Sequence, residues 1–179
     1  MIAITLTALL ASSPVVIEES RVSLSISGGH TIGRNDMGRP VVLIAAALGV
    51  KPEVFREAFS RVTPARGGAP DQRQAQQNKD FLLSVLGKYG VTNERLDTVS
   101  NFYRFRPQNG ELWRHQEAEG YAIVDRGTIQ KIVITNAGYG YSTEPTITVA
   151  GFLNARLKVG LTFDKDLQKN GRISTITVG

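Results

Sequence analysis

The chain contains no cysteine, which excludes disulfide bonds, cysteine-ligated zinc, iron–sulfur clusters and thiol nucleophiles. Aromatic residues make up only 7% of the sequence, and there are only two histidines. No segment approaches the roughly 18 consecutive apolar residues that a transmembrane helix needs, so no membrane span is expected. A chain without cysteine is compatible with export, because it has no thiol that can be misoxidised outside the cytoplasm.

The 179 residues are 41% hydrophobic and 21% charged, which suits one domain, or two small ones that share an interface. The net charge of +5 raises the question of nucleic-acid binding. However, basic and acidic residues are interleaved along the helical region, a pattern typical of a solvated, salt-bridged surface. Nucleic-acid binding is therefore not favoured, and attraction to an anionic surface or polysaccharide explains the charge as easily.

The N-terminal sequence MIAITLTALLASS combines an apolar run from Ile2 to Ala11 with small residues after it. This is the length of a signal-peptide core followed by a cleavage zone, so residues 1–13 are predicted to be a signal peptide. The protein is then exported to the periplasm, the cell surface or the medium. The alternative is a strand, because no Lys or Arg precedes the run and apolar residues alternate with Thr5 and Thr7.

The rest of the chain predicts an α+β fold, with a helical N-terminal half and an antiparallel all-β C-terminal half built of hairpins. Residues 14–102 predict a mainly helical region that begins with a strand, and residues 103–179 predict the β region. Four helices are expected, and their ends are marked by capping residues. Pro40 and Pro52 are predicted to open the first two helices, and Asp71 and Thr92 to cap the third and fourth. A hairpin over 102–115 is expected to turn at Asn109-Gly110, before strands at about 119–125, 128–135, 146–149, 155–163 and 172–178.

The stretch ITNAGYGYSTEPTITVAG, residues 134–151, places two glycines and two tyrosines on one turn. It resembles a GxGY…PTxTV β-repeat unit of phage tail-fibre proteins and of secreted bacterial surface proteins. The resemblance implies that Gly138 and Gly140 supply backbone angles forbidden to other residues, and that Tyr141 packs the corner. The alternative is direct ligand contact by Tyr139 or Tyr141.

The wider layout resembles a group of exported bacterial proteins without an assigned activity. The segments that carry this resemblance are GRPVVLIAAALGVKPEVFREAFSRVTPARGG and YGVTNERLDTVSNFYRFRPQNGELW, followed by the GxGY unit. The resemblance supports export and the fold, and it implies no mechanism. No cofactor is expected.

The densest polar and aromatic stretch follows Thr92 and is the best candidate for a binding surface. Arg104 and Arg106 alternate with Phe105, which gives a basic face opposite an apolar one. Tyrosine and tryptophan nearby are residue types enriched at binding hot spots. The predicted binding residues are Tyr103, Arg104, Arg106, Trp113, Tyr139 and Tyr141.

The sequence supports a catalytic site less well than it supports a binding surface. His30 and Asp36 lie on a glycine-rich loop and have the chemistry of a metal site or of a base with its orienting group. A site needs further ligands, and the other histidine, His115, is distant in sequence. No catalytic residue or metal ligand is therefore assigned, and the protein is expected not to be an enzyme. The alternative is a small hydrolase or lyase in which folding brings together His30, Asp36, Glu94, Asp97 and His115.

These observations predict a non-catalytic exported protein, either a subunit of an extracellular assembly or a surface-binding module. Self-association would use strand donation by an apolar end of the chain, either the final segment, residues 173–179, or residues 1–11 if they are not cleaved. The other expected partner is a cell-surface polymer. A further alternative is an anionic-polymer-binding protein that uses Arg104, Arg106 and Arg114.

Overall fold

The structure, a computed structural model, describes residues 19–62, 71–106 and 109–179. The predicted signal peptide over 1–13 and a predicted loop over 63–70 lie outside these ranges. The α+β class is confirmed, with helices in the N-terminal half and antiparallel strands in the C-terminal half. The elements are β1 (Ser20–Ser27), α1 (Val41–Leu48), α2 (Pro52–Ser60), α3 (Gln72–Leu86), α4 (Asn93–Phe102), β2 (Glu119–Asp125), β3 (Thr128–Asn136), β4 (Thr146–Val149), β5 (Leu157–Thr162) and β6 (Arg172–Val178).

The helices begin and end at the capping residues that the sequence indicates. The Asp71 side chain accepts a hydrogen bond from the Gln74 amide at the start of α3, and Thr92 does the same for the Arg95 amide at the start of α4. Gly49 ends α1 in the left-handed conformation, with φ 73°. Each of these contacts satisfies a backbone group that the helix itself leaves unpaired.

Helix α1 is apolar on all sides and lies at the centre of the helical part. Val41, Leu43 and Ala45 are fully buried, and α1 packs against α2 and α4. Because every side of α1 meets other apolar side chains, it needs no polar face. Among the described residues, no helix is long and apolar enough to cross a membrane.

Strand β1 connects the two halves of the chain. The main sheet has the order β3-β2-β1-β4, so β1 lies between strands from the C-terminal half. Its first half pairs with β2, for example Val22 opposite Ala122, and its second half pairs with β4, for example Ile26 opposite Ile147. Strands β5 and β6 form a separate two-stranded sheet. The glycine-rich loop after β1 therefore starts beside β4 and close to the GxGY turn.

The hairpin predicted over 102–115 is not formed as two strands. Within its described residues, only an isolated bridge between Arg106 and Glu111 is present. The reason lies in Trp113, whose side chain is 1% exposed and whose indole N–H donates to the Gly140 carbonyl at 2.8 Å. This long-range contact directs the segment after Glu111 towards the GxGY turn and away from a local partner strand.

Candidate functional site

The GxGY turn packs directly against the segment that precedes β2. Gln116 and Tyr139 exchange two backbone hydrogen bonds, each 3.0 Å long. Gly140 has φ 88°, and a Cβ atom there would lie 2.7 Å from the Cβ of His115. Glycine is therefore needed at this position both for its backbone angle and for the close approach to His115.

Tyr141 packs the corner, as the resemblance implies. Its side chain is fully buried. The hydroxyl accepts a hydrogen bond from the Ala118 amide at 2.8 Å and donates one to Glu117 Oε2 at 2.7 Å. Burial and the bond to Glu117 raise the pKa of Tyr141, so the phenol keeps its proton and remains a donor.

His30 is brought to this corner by the glycine-rich loop after β1. Its ring lies 4.5 Å from the ring of His115 and is stacked on Tyr141 at 5.1 Å, both measured between centroids. Gly29, with φ 82°, permits this approach, because a Cβ there would lie 2.6 Å from a ring carbon of Tyr141. The two histidines of the chain, distant in sequence, are therefore in contact.

The hydrogen bonds of the two histidines leave one nitrogen of each ring unpaired. His115 Nδ1 lies 2.8 Å from the Trp113 carbonyl oxygen. A carbonyl only accepts, so Nδ1 carries the proton and Nε2 of the neutral ring has a free lone pair. The Nε2 atom of His30 is buried and has no hydrogen-bond partner. Both rings therefore offer Nε2.

The carboxylate of Glu117 completes a compact group with these nitrogens. Glu117 Oε1 lies 3.7 Å from His115 Nε2. One ligand atom from each of His30, His115 and Glu117 lies within 4.8 Å of the other two. We call these three residues the His–Glu cluster. Burial, and then the neighbouring His115, lower the pKa of His30, which favours its neutral form. Two neutral imidazoles and a carboxylate are a ligand set for a divalent transition metal.

A second feature lies around the end of α4, where three arginines have no acidic partner among the described residues. Arg39 stacks over the Phe59 ring at 5.4 Å, and Arg114 stacks over the Phe102 ring at 5.7 Å. Arg104 bonds only to the neutral side chain of Asn101, at 2.5 Å. We call Arg39, Arg104 and Arg114 the arginine surface.

The electrostatics within the arginine surface are unfavourable. Arg39 is half-buried, and burial together with the charge of Arg104 lowers its pKa. Arg56, by contrast, is neutralised, because it pairs with Asp36 at 2.7 Å. Like charges close together, without a counter-charge, favour the approach of an anion.

The six predicted binding residues are divided between the interior and the surface. Tyr103, Trp113 and Tyr141 are buried and face the core, so their rings are not accessible to a ligand at the surface. Arg106 pairs with Glu111 at 3.4 Å. Arg104 is exposed and Tyr139 is half-buried. Binding by these residues remains a prediction, and Arg104 and Tyr139 are best placed for it.

The predicted hydrolase set is only partly brought together. His30 and His115 are in contact, but the Asp36 carboxylate is bound to Arg56. Asp97 pairs with Lys79 at 2.8 Å, on the helical part.

Glu117 is assigned to no site from the sequence, although its spacing from His115 indicates that the two side chains lie together. His115 and Glu117 are two residues apart, and in an extended segment such residues share a face.

Comparison with protein-family models, with curated proteins and with solved structures gives no match to this chain.

Proposed function

We propose that the protein is a non-catalytic, exported surface-binding module that attaches to an anionic polysaccharide through the arginine surface. The observation that carries the proposal is the half-buried Arg39, which lies beside Arg104 with no carboxylate partner in the described part of the chain. A bound carboxylate or sulfate group relieves the repulsion between the two guanidinium groups and accepts hydrogen bonds from both.

The surroundings of the arginines suit an extended polymer better than a small ion. The ring of Phe102, beneath Arg114, lies 6.2 Å from the ring of Tyr139. Aromatic rings between separated cations provide apolar contact area for the uncharged parts of a sugar chain. The net charge of +5 adds a long-range attraction that concentrates the protein near an anionic surface.

The proposal is tested by binding to two soluble polyanions, polygalacturonate for carboxylates and dextran sulfate for sulfates, with neutral dextran as the control ligand. We expect binding to at least one polyanion, weakening as salt is raised, because salt screens exposed charges. Arg104→Gln is expected to weaken binding about tenfold, since a hydrogen bond to a charged group contributes about 1.5 kcal/mol or more.

Arg126→Gln is the matched control, because Arg126 lies on the β2–β3 turn, where it is exposed and outside the arginine surface. It removes the same charge and should leave most of the affinity. Equal losses in the two variants would show a general charge effect and contradict a defined site. Binding that does not change with salt would contradict the proposal altogether.

Self-association is a second candidate, favoured by the C-terminal end of β6. Within the described residues β6 forms a sheet only with β5, and although the Ile173 amide bonds to the Ala137 carbonyl at the start of β6, Val178 at its end and the nearby Leu153 are exposed. A neighbouring copy that adds a strand here would extend the two-stranded sheet. Removing all of residues 173–179 is a poor test, because Ile173 is buried. A better test is the variant Val178→Lys, whose native mass is compared with that of the unmodified protein by light scattering. We expect the unmodified protein to assemble and the variant to have lost that assembly.

A further inference from the structure

The side chains of the His–Glu cluster are oriented by hydrogen bonds as well as by ring packing. The His115 ring is oriented by the hydrogen bond between its Nδ1 atom and the Trp113 carbonyl, and the His30 ring is held by stacking on Tyr141. The carboxylate of Glu117 is oriented by the Tyr141 hydroxyl. Metal-binding histidines and carboxylates are held in this way, since the outer hydrogen bonds fix the tautomer and direct the free lone pair.

The unpaired nitrogen of His30 is an independent indication of a ligand. Nε2 is buried and has no hydrogen-bond partner, which is unusual for a buried polar atom. His30 also belongs, with His115 and Glu117, to a group in which one ligand atom from each residue lies within 4.8 Å of the others. An ion bound between the three residues would satisfy this nitrogen without any change in the backbone.

The distances are those of a site that closes by small side-chain movements. Two ligands on one tetrahedral Zn²⁺ are about 3.3 Å apart, given bonds of about 2.0 Å. His115 Nε2 and Glu117 Oε1 are 3.7 Å apart. The three ligand atoms as a set lie within 4.8 Å of one another. Closing the widest gap requires a displacement of about 1.5 Å, shared between two side chains.

We propose that His30, His115 and Glu117 bind one Zn²⁺ ion, or another late first-row divalent metal, beneath the GxGY turn. Nitrogen ligands select such metals over Ca²⁺ and Mg²⁺, which prefer oxygen atoms alone. Three protein ligands leave a fourth position, and the partial exposure of Glu117 makes that position accessible to water or to a ligand atom. The site is separate from the arginine surface and does not depend on its function.

The test is calorimetric titration of the metal-free protein, without any added histidine tag, with ZnCl2 and then with CaCl2. We expect one Zn²⁺ per chain and no comparable binding of Ca²⁺. Titration with Co²⁺, followed by visible absorption, reports the coordination geometry through the intensity of its bands. His115→Ala and Glu117→Gln are each expected to weaken Zn²⁺ binding at least about tenfold.

Glu119→Gln is the matched control, because it neutralises an exposed carboxylate two residues from Glu117 that is outside the cluster. Its Zn²⁺ affinity should equal that of the unmodified protein. Glu117→Gln retains an acceptor for the Tyr141 hydroxyl, so it is expected to fold, which circular dichroism checks. The proposal is overturned if the unmodified protein binds no stoichiometric Zn²⁺, or if folded Glu117→Gln binds it as tightly as Glu119→Gln does.

Discussion

The rings of His30 and His115 lie 4.5 Å apart, although one follows β1 and the other precedes β2. Both are packed against the GxGY turn, where His30 is stacked on Tyr141 and a Cβ at Gly140 would contact His115. The two glycines and Tyr141 of this turn therefore have a structural role, which is to let three backbone segments meet closely. That close meeting also creates the His–Glu cluster.

The requirement for glycine at position 140 can be measured by comparing two alanine variants. Gly140 and Gly127 both have positive φ angles, 88° and 74°, but only at Gly140 would a Cβ atom meet other atoms. Gly127→Ala is expected to lower the free energy of unfolding by about 1–2 kcal/mol, from the backbone angle alone. Gly140→Ala should cost clearly more in urea unfolding, because His115 must also move. Equal losses would show that the contact with His115 is unimportant.

Asn170 is a buried link between the helical part and the β5–β6 sheet. Its side-chain amide donates to the Leu43 carbonyl at 2.7 Å and to the Tyr103 hydroxyl at 2.9 Å, and its oxygen accepts from the Asp164 amide. Asn170→Ala leaves these buried groups unpaired and is expected to cost about 2–4 kcal/mol.

The control for this prediction is Asn154→Ala at an exposed position, which should change stability by less than about 0.5 kcal/mol. Thermal unfolding followed by circular dichroism measures both variants. A loss for Asn170→Ala as small as that for Asn154→Ala would argue against the buried link.

Alkaline pH should destabilise the protein through its buried tyrosines. Burial raises the pKa of Tyr103 above its ordinary value of about 10. As the pH rises past that value, the unfolded chain loses its phenolic proton first, so stability that is present below about pH 10 is lost above it. Tyr103→Phe should show a smaller loss of unfolding free energy between about pH 9 and pH 11.

The comparison for this pH effect is Tyr89→Phe, which removes an exposed phenol. It should leave the pH dependence of urea unfolding unchanged. The explanation fails if the two variants lose stability equally over this pH range.

The Tyr141 hydroxyl is predicted to support metal binding without touching the ion. It donates to Glu117 Oε2, whereas Oε1 faces His115. Tyr141→Phe is expected to weaken Zn²⁺ binding about tenfold, because the carboxylate loses the group that orients it. Stability should fall as well, since the Ala118 amide loses its acceptor. Tyr121→Phe, on β2, is the control, and an equal Zn²⁺ affinity in both folded variants would contradict this role.

Much of the fold follows from local sequence signals. Capping residues such as Asp71 and Thr92 mark helix starts because their side chains bond to amides only three residues away. The alternation of Val22, Leu24 and Ile26 predicts β1 because strand side chains alternate between the two faces. These patterns depend on neighbours in the chain, so a single sequence contains them.

The features that the sequence does not predict depend on contacts between residues that are distant in the chain. Asn109-Gly110 is a valid local turn signal, but the burial of Trp113 against Gly140 decides the course of the chain there. Asn170 does lie in a turn, as the Asn-Gly sequence predicts, but its full burial against α1 depends on residues distant in the chain. The meeting of His30 with His115 requires that β1 pair with both β2 and β4, and no local pattern specifies that pairing.

The most direct test of the His–Glu cluster is the NMR spectrum of the histidine side chains during Zn²⁺ titration. The chain has two histidines, so the spectrum of the untagged protein contains only His30 and His115. We predict that the signals of both rings change together, reach completion at one equivalent of Zn²⁺ and identify Nε2 as the bound nitrogen in each. If only one ring responded, or if neither did, the two histidines would not share a metal site.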